Sequence, residues 1–172
     1  LQEAASRLQF ALDSAQIGDW YLDLEKGTSK RSLQHDMCFG YQEPVANWGF
    51  DTFIAHVHPE DREWVTQDFK AAASGLKDLH IECRVIWPDK TVHWIAAHGS
   101  VYGAEGHLHR MIGIVFNITD RKLSEERIRH ASLHDPLTGL PNRAMLFEYA
   151  SHMLPHNKRT NQFAAVLFCD LD

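Results

Sequence analysis

Two carboxylates, Asp170 and Asp172, close the chain after an apolar run from Phe163 to Phe168. The run predicts a buried strand, and side-chain direction in a strand repeats every two residues, so both acids are expected on one face. Hard cations such as Mg²⁺ take oxygen ligands at a few fixed positions and share their coordination with substrate phosphates, which makes Asp170 a candidate metal ligand. Taken alone, a D-x-D at a strand end is more commonly the solvated start of a loop.

Histidine and cysteine are the other residue types that could do chemistry. Among twelve histidines, His107 and His109 share one strand face, and His56 and His58 flank a proline-led helix start. His130 and His134 stand one turn apart, as do His152 and His156 unless Pro155 breaks that helix. None of these pairs brings the third or fourth ligand of a structural zinc site, so exposed polar histidines are expected. Cys38, Cys83 and Cys169 are odd in number and far apart, matching neither a disulfide framework nor a C-x-x-C pattern. Buried thiols in a reducing cytosol are the expectation.

The elements that must position these residues belong to a globular chain of 172 residues, 44% hydrophobic and 23% charged. A net charge of −6 with 17 scattered Lys and Arg offers no basic stripe, and a nucleic-acid partner is not expected. No apolar run reaches the ~20 residues a membrane span needs. The chain begins at Leu1 without a leader, so we expect a cytoplasmic piece of a longer protein, with no membrane contact of its own. Asn117-Ile118-Thr119 fits a glycosylation sequon but reads as ordinary strand residues.

Residues 1–16 place Leu8, Ala11, Leu12 and Ala15 at helical spacing, ended near Gly18. Alternation over Asp19–Asp23 predicts a short strand entering a hairpin. From Leu33 to Ser74 short helices are expected, broken by Gly40, Pro44 and Pro59, the last opening at Pro59-Glu60-Asp61. After Gly75 the period falls to 2, and three antiparallel strands follow, turned at Pro88-Asp89-Lys90 and at residues 103–106. Lys90 stands where such a turn favours glycine. The inward strand face, with Cys83, Val85, Trp94 and Met111, could line a small-ligand pocket or fill a core. A charged helix with Ser124, Ile128 and Ala131 as a thin apolar seam then leads to "HDPLTGLPNR", a further helix through Met145 and Met153, and the closing run.

The blocks "GDWYLDL", "HPEDREWV", "CRVIWPDKTVHWIAAHGSVYG" and "GIVFNITDRK" resemble a PAS domain with a PAC-type C-terminal motif, over about residues 17–122. "LHDPLTGLPNR", a helix and "AVLFCDLD" resemble the opening of a GGDEF domain, the catalytic domain of diguanylate cyclases. The resemblance implies an α+β chain: a leading helix at 1–16, a PAS domain of antiparallel sheet and flanking short helices at 17–121, a connector helix at 122–133, and the first part of an α/β GGDEF domain at 134–172. It implies that Asp170, with the backbone carbonyl of Leu171, binds the catalytic Mg²⁺. It gives Asp135, Gly139, Asn142 and Arg143 a structural role in the domain's opening turn, with Asp135 and Arg143 fastening the turn.

By the same resemblance the parent protein condenses two GTP into cyclic di-GMP, while the glycine-glycine-acid-acid-phenylalanine loop is missing here and this piece is expected to be inert. Signal coupling is expected through Asn117, Thr119, Asp120, Arg121, Ser124, Ile128 and Ala131, with pairing of two chains along the leading and connector helices. Relatives often carry Asp where this chain has Asn117, which removes an ion pair from that coupling. Haem-binding relatives place a histidine in the helix corresponding to Asp61–Ser74, and flavin photosensors carry Asn-Cys-Arg-Phe-Leu-Gln. Neither feature is present, so neither cofactor is expected. The alternative is a noncatalytic regulator, with a degenerate GGDEF receptor domain or a GGDEF cap on a cyclic di-GMP phosphodiesterase.

Overall fold

A computed structural model describes residues 2–104, 107–160, 162, 163, 165–167 and 169. The chain divides into two compact units, Leu1–Lys122 and Leu123–Asp172.

The first unit is built on one antiparallel sheet of β1 (Gly18–Asp23), β2 (Thr28–Arg31), β3 (Leu79–Ile86), β4 (Val92–Ala104) and β5 (His107–Asn117). Its strand order is β2-β1-β5-β4-β3, so β5 returns beside β1 and welds the early hairpin to the later meander. Strict alternation on β3 puts Leu79, Ile81, Cys83 and Val85 inward. They meet the inward Ile95 and Ala97 of β4 and, across the sheet, Met111 and Val115 of β5. The short helices α2 (Leu33–Met37), α3 (Phe50–His56) and α4 (Arg62–Ala73) cover that face, with Phe39, Trp48, Val57, Val65 and Ala72 buried against it.

Two inward strand positions are glycines for a visible reason. A Cβ on Gly99 would stand 2.6 Å from the Trp20 ring, and one on Gly113 2.3 Å from the ring and 2.2 Å from the His98 carbonyl oxygen. The paired glycines therefore form a floor on which the β1 indole lies.

The His-Pro-Glu-Asp-Arg stretch fastens the helical layer to the sheet. Asp61, at the end of a 3₁₀ turn (Pro59–Asp61), accepts from the Arg84 backbone N–H (3.0 Å), Nε (3.0 Å) and Nη2 (2.6 Å). Arg84 also reaches Glu60 at 2.9 Å, and Arg62 donates to the carbonyls of Val57 and Ala55. Hydrogen bonds from Arg84 outweigh desolvation and hold the Asp61 carboxyl below its ordinary range.

The helix ahead of the sheet, α1 (Gln2–Ser14), ends through Gln16 at φ 55°, with Ile17 N–H bonded to Leu12 O at 2.9 Å, rather than through Gly18. Its Leu8 and Phe10 are exposed. At the Pro88-Asp89 turn Lys90 does adopt the left-handed conformation, φ 72°, because Asp89 Oδ1 takes both the N–H and the hydroxyl of Thr91 and closes the loop.

The connector α5 (Thr119–Leu133) carries the chain into the second unit, whose other helix is α6 (Arg143–Thr160). Pro155 lies inside α6, so the helix runs through both His152 and His156. The described residues of the closing run are not in a strand, and Phe163, Val166 and Leu167 are exposed. A strand needs a hydrogen-bonded neighbour, and among the described residues of this unit there is none.

Candidate functional site

Beneath α2, α3 and α4 the first unit holds a partly open cavity of ≈ 60 Å³, walled by aromatic rings: Trp20, Phe39, Trp48, Phe50, Phe53 and Phe69. Leu22, Leu79, Ala97 and Val115 complete the sheet side, and Ser29, Arg31 and His35 bring the polar groups. The space suits a ligand of a few heavy atoms, since drug-sized ligands occupy pockets of about 300–1,000 Å³.

The polar end is a buried ionic network. Asp36 is 1% exposed and accepts from Arg31 Nε at 2.5 Å, Arg31 Nη2 at 3.2 Å and the Val45 N–H at 2.9 Å. Arg31 Nη2 also donates to the Val45 carbonyl, and its guanidinium lies 5.1 Å from the Trp48 ring centre. His35 Nδ1 donates to Asp36 Oδ1 at 2.9 Å, because the ionised carboxylate can only accept. Burial pushes the Asp36 carboxyl up, but the hydrogen bonds from His35 and Arg31 carry it down to about 2. Burial pushes the His35 imidazole below its ordinary value and keeps it neutral, packed edge-on to Trp48 at 5.1 Å. This network ties β2, α2 and the Val45 loop into one rigid wall of the cavity.

Cys83, Val85 and Met111 fill the core beside the cavity and are fully buried, while Trp94 sits on the opposite face of the sheet. The register explains the separation: Cys83 pairs with Ile95, so Trp94, one residue away, pairs with the outward Arg84. The cavity lining comes instead from other residues of all five strands and from the helical layer. Burial pushes the Cys38 thiol up to about 11 and the Cys83 thiol up to about 12, which leaves both unreactive.

A second constellation surrounds the exit of the sheet. The Trp94 N–H donates to Thr119 Oγ1 at 2.9 Å, and the Thr119 N–H donates to Asn117 Oδ1 at 2.8 Å. The Asn117 amide oxygen thus does at the helix start what a carboxylate would do, without the charge. The ion pairs come from elsewhere: Glu82 of β3 receives Arg121 Nη2 at 2.7 Å and Lys122 Nζ at 2.8 Å, and Lys122 stands 5.3 Å from the Trp94 ring centre. Hydrogen bonds first from Lys122 and then from Arg121 draw the Glu82 carboxyl below its ordinary range. Glu82, absent from the sequence reading, therefore latches the first turn of α5 to the sheet. Asp120, Ser124, Ile128 and Ala131 are exposed on α5, Ile128 at 70%.

In the second unit Asp135 Oδ1 accepts from the N–H of Leu137 (3.2 Å) and Thr138 (2.9 Å) and from the Thr138 hydroxyl (2.8 Å). Gly139 takes φ 69° and its N–H bonds Asp135 O at 2.9 Å. Asn142 Oδ1 caps α6 through the N–H groups of Ala144 and Met145, while its Nδ2 donates to Ser132 O at 2.8 Å. Arg143 lies 5.3 Å over the Phe147 ring, so Asn142 takes the fastening role expected of Arg143. Asp170 and Leu171 lie outside the described residues, as does Asp172. Among the described residues no cluster of three or more His, Cys, Asp or Glu side chains could hold a metal, and no helix is long and apolar enough to cross a membrane.

A small cavity under an antiparallel sheet, a helix latched to β3 and β4 of that sheet and a structured turn beyond it are the parts of a sensor module joined to an output stretch. The family comparisons agree: the model described as PAS fold matches residues 32–115, and that described as diguanylate cyclase, GGDEF domain, matches residues 132–172. The chain carries a PAS domain followed by a partial GGDEF domain, and is a signalling sensor module.

Among curated relatives, an uncharacterized protein of Sinorhizobium fredii is 31% identical over the whole chain, which spans 21% of that protein. A blue-light-activated histidine kinase of Brucella anthropi is 27% identical over 72% of the chain and 25% of its own length. The chain thus spans a quarter or less of these relatives. Among solved structures, a sensory box histidine kinase/response regulator from Burkholderia thailandensis superposes with a TM-score of 0.59 at 26% identity, over 72% of this chain and 92% of the other. The N-terminal domain of a diguanylate cyclase with PAS/PAC sensor from Marinobacter aquaeolei gives 0.55 at 23% identity, over 62% and 98%.

Proposed function

We propose that this chain is the input module of a diguanylate cyclase: the PAS cavity takes up a small ligand, and its occupancy sets, through α5, the rate at which a complete GGDEF domain converts two GTP into cyclic di-GMP. The observation that carries the reading is the latch at the sheet's exit. Val115 lines the cavity two residues before Asn117, whose side chain caps the first turn of α5. A ligand that displaces Val115 or Ala97 shifts β5 and β4 against each other, and Glu82, Trp94 and Thr119 pass that shift to α5.

In this reading Asp170, with the Leu171 carbonyl, holds Mg²⁺ in the complete GGDEF domain, where two metals stabilise in-line attack of a 3′-hydroxyl on the α-phosphate of the other nucleotide. The exposed seam of Ser124, Ile128 and Ala131 pairs two chains and brings two GTP half-sites together. The Brucella relative's name raises light as a competing input; the missing Asn-Cys-Arg-Phe-Leu-Gln motif and the ≈ 60 Å³ cavity favour a small colourless ligand.

The test is an assay, with GTP and Mg²⁺, of a protein that carries this chain together with a complete GGDEF domain. Cyclic di-GMP is the expected product. Absence of product from well-folded protein, or a purified chain with a flavin or haem absorption band, contradicts the cyclase or the ligand half of the reading respectively.

A further inference from the structure

We propose that His130 and His134 form a two-imidazole binding site for a divalent late transition-metal ion, of the copper, nickel or zinc class, at the end of the connector helix. His134 directly follows α5, its N–H still bonded to the His130 carbonyl at 3.0 Å in helical register, and the two rings lie nearly parallel, 4° apart with centroids 3.9 Å from each other. His134 Nδ1 donates to the His130 carbonyl at 3.0 Å. That bond fixes the tautomer and leaves the lone pair on Nε2, the arrangement in which a backbone carbonyl usually holds a metal-binding histidine.

His130 is exposed and His134 half-exposed, so an ion has access from solvent. Two metal–nitrogen bonds of ~2.0–2.1 Å at a tetrahedral angle set the nitrogens about 3.4 Å apart, and binding turns the two ring planes out of the parallel stack until their lone pairs converge on the ion. Imidazole nitrogen suits copper, nickel and zinc and not Mg²⁺ or Ca²⁺, and copper(II) binds tightest of the series. The carboxylate one turn earlier, Glu126, is held by Arg129 at 2.9 and 2.6 Å, so the chain supplies two ligands and water completes the shell.

The site's position gives it a consequence. Asn142 hangs the opening turn of the GGDEF stretch on the carbonyls of Ser132 and Leu133, within the same helical turn that the metal would clip. A bound ion would stiffen the last turn of α5 and reach the output domain without passing through the PAS cavity.

Calorimetric titration of the intact chain with CuCl₂ and NiCl₂, without chelating buffer, tests the proposal independently of any cyclase activity. One saturable ion per chain is expected, with about a hundredfold weaker binding in His130→Ala and in His134→Ala. His152→Ala/His156→Ala is expected to bind as the parent does. Circular dichroism of each variant checks that the helices persist, and His130→Gln keeps helix propensity if the alanine variants fail. Absence of saturable binding overturns the site. So does unchanged affinity in the His130→Ala/His134→Ala double variant, which assigns the ion to other histidines.

Discussion

Asp36 is the residue on which the cavity wall depends. Its carboxyl is held at about 2 against an ordinary 3.8, and the neutral His35 beside it sits below its ordinary 6.5. In both cases the unfolded chain binds the extra proton more readily, so stability rises with pH through their range. The His35 contribution is lost as pH falls below about 6.5, and the Asp36 contribution, on the order of 2 kcal/mol, is lost as pH falls from about 4 towards 2. Thermal melts from pH 7 to pH 3 are expected to show a falling Tm. In Asp36→Asn the buried Arg31 loses its counter-charge; we expect a loss of about 3 kcal/mol at pH 7 and a flatter acid limb in the same melts. Lys90 offers the opposite sign. It holds φ 72° where glycine carries no Cβ penalty, so Lys90→Gly is expected to add about 0.5–1 kcal/mol in urea unfolding.

At the scale of elements, much of the fold was legible because its signals are local. The switch of period after Gly75 marked the meander, and Pro59 with two acids marked the turn before α4. The described residues of the closing run stand outside any strand, because strand formation requires a neighbour that the segment itself does not encode. The site was harder to read. The inward strand face of Cys83 is expected to include Trp94, but Cys83 pairs with Ile95, and Trp94, one residue away, faces outward. Arg31, His35 and Asp36 carry no motif; only the fold brings β2, α2 and Val45 together. Glu82 was one outward residue of an alternating strand, and nothing local connects it to Arg121, 39 residues on. The glycine floor under Trp20 is legible only in retrospect. Gly113→Ala is expected to displace the indole and cost about 1–3 kcal/mol, visible as a changed Trp fluorescence maximum and a lower urea midpoint. On α5, Ile128→Asp removes the largest apolar group of the seam. If connector helices pair, multi-angle light scattering will show a shift from dimer to monomer at equal concentration; an unchanged dimer places the contact elsewhere.

For the whole molecule, we propose that the state of the PAS sheet reaches the GGDEF stretch through the first turn of α5. The central latch is Glu82, bonded to both Arg121 and Lys122. Coupling between sites of this kind is typically worth 0.5–2 kcal/mol, about 2- to 30-fold in an output. The most direct measurement is therefore the rate of cyclic di-GMP formation by a protein carrying this chain with a complete GGDEF domain, before and after Glu82→Gln. We expect a change of about 2- to 30-fold in rate with unaltered melting of the PAS unit, since the Glu82 side chain is partly exposed and lies outside the core. An unchanged rate in a folded, active variant would contradict the latch.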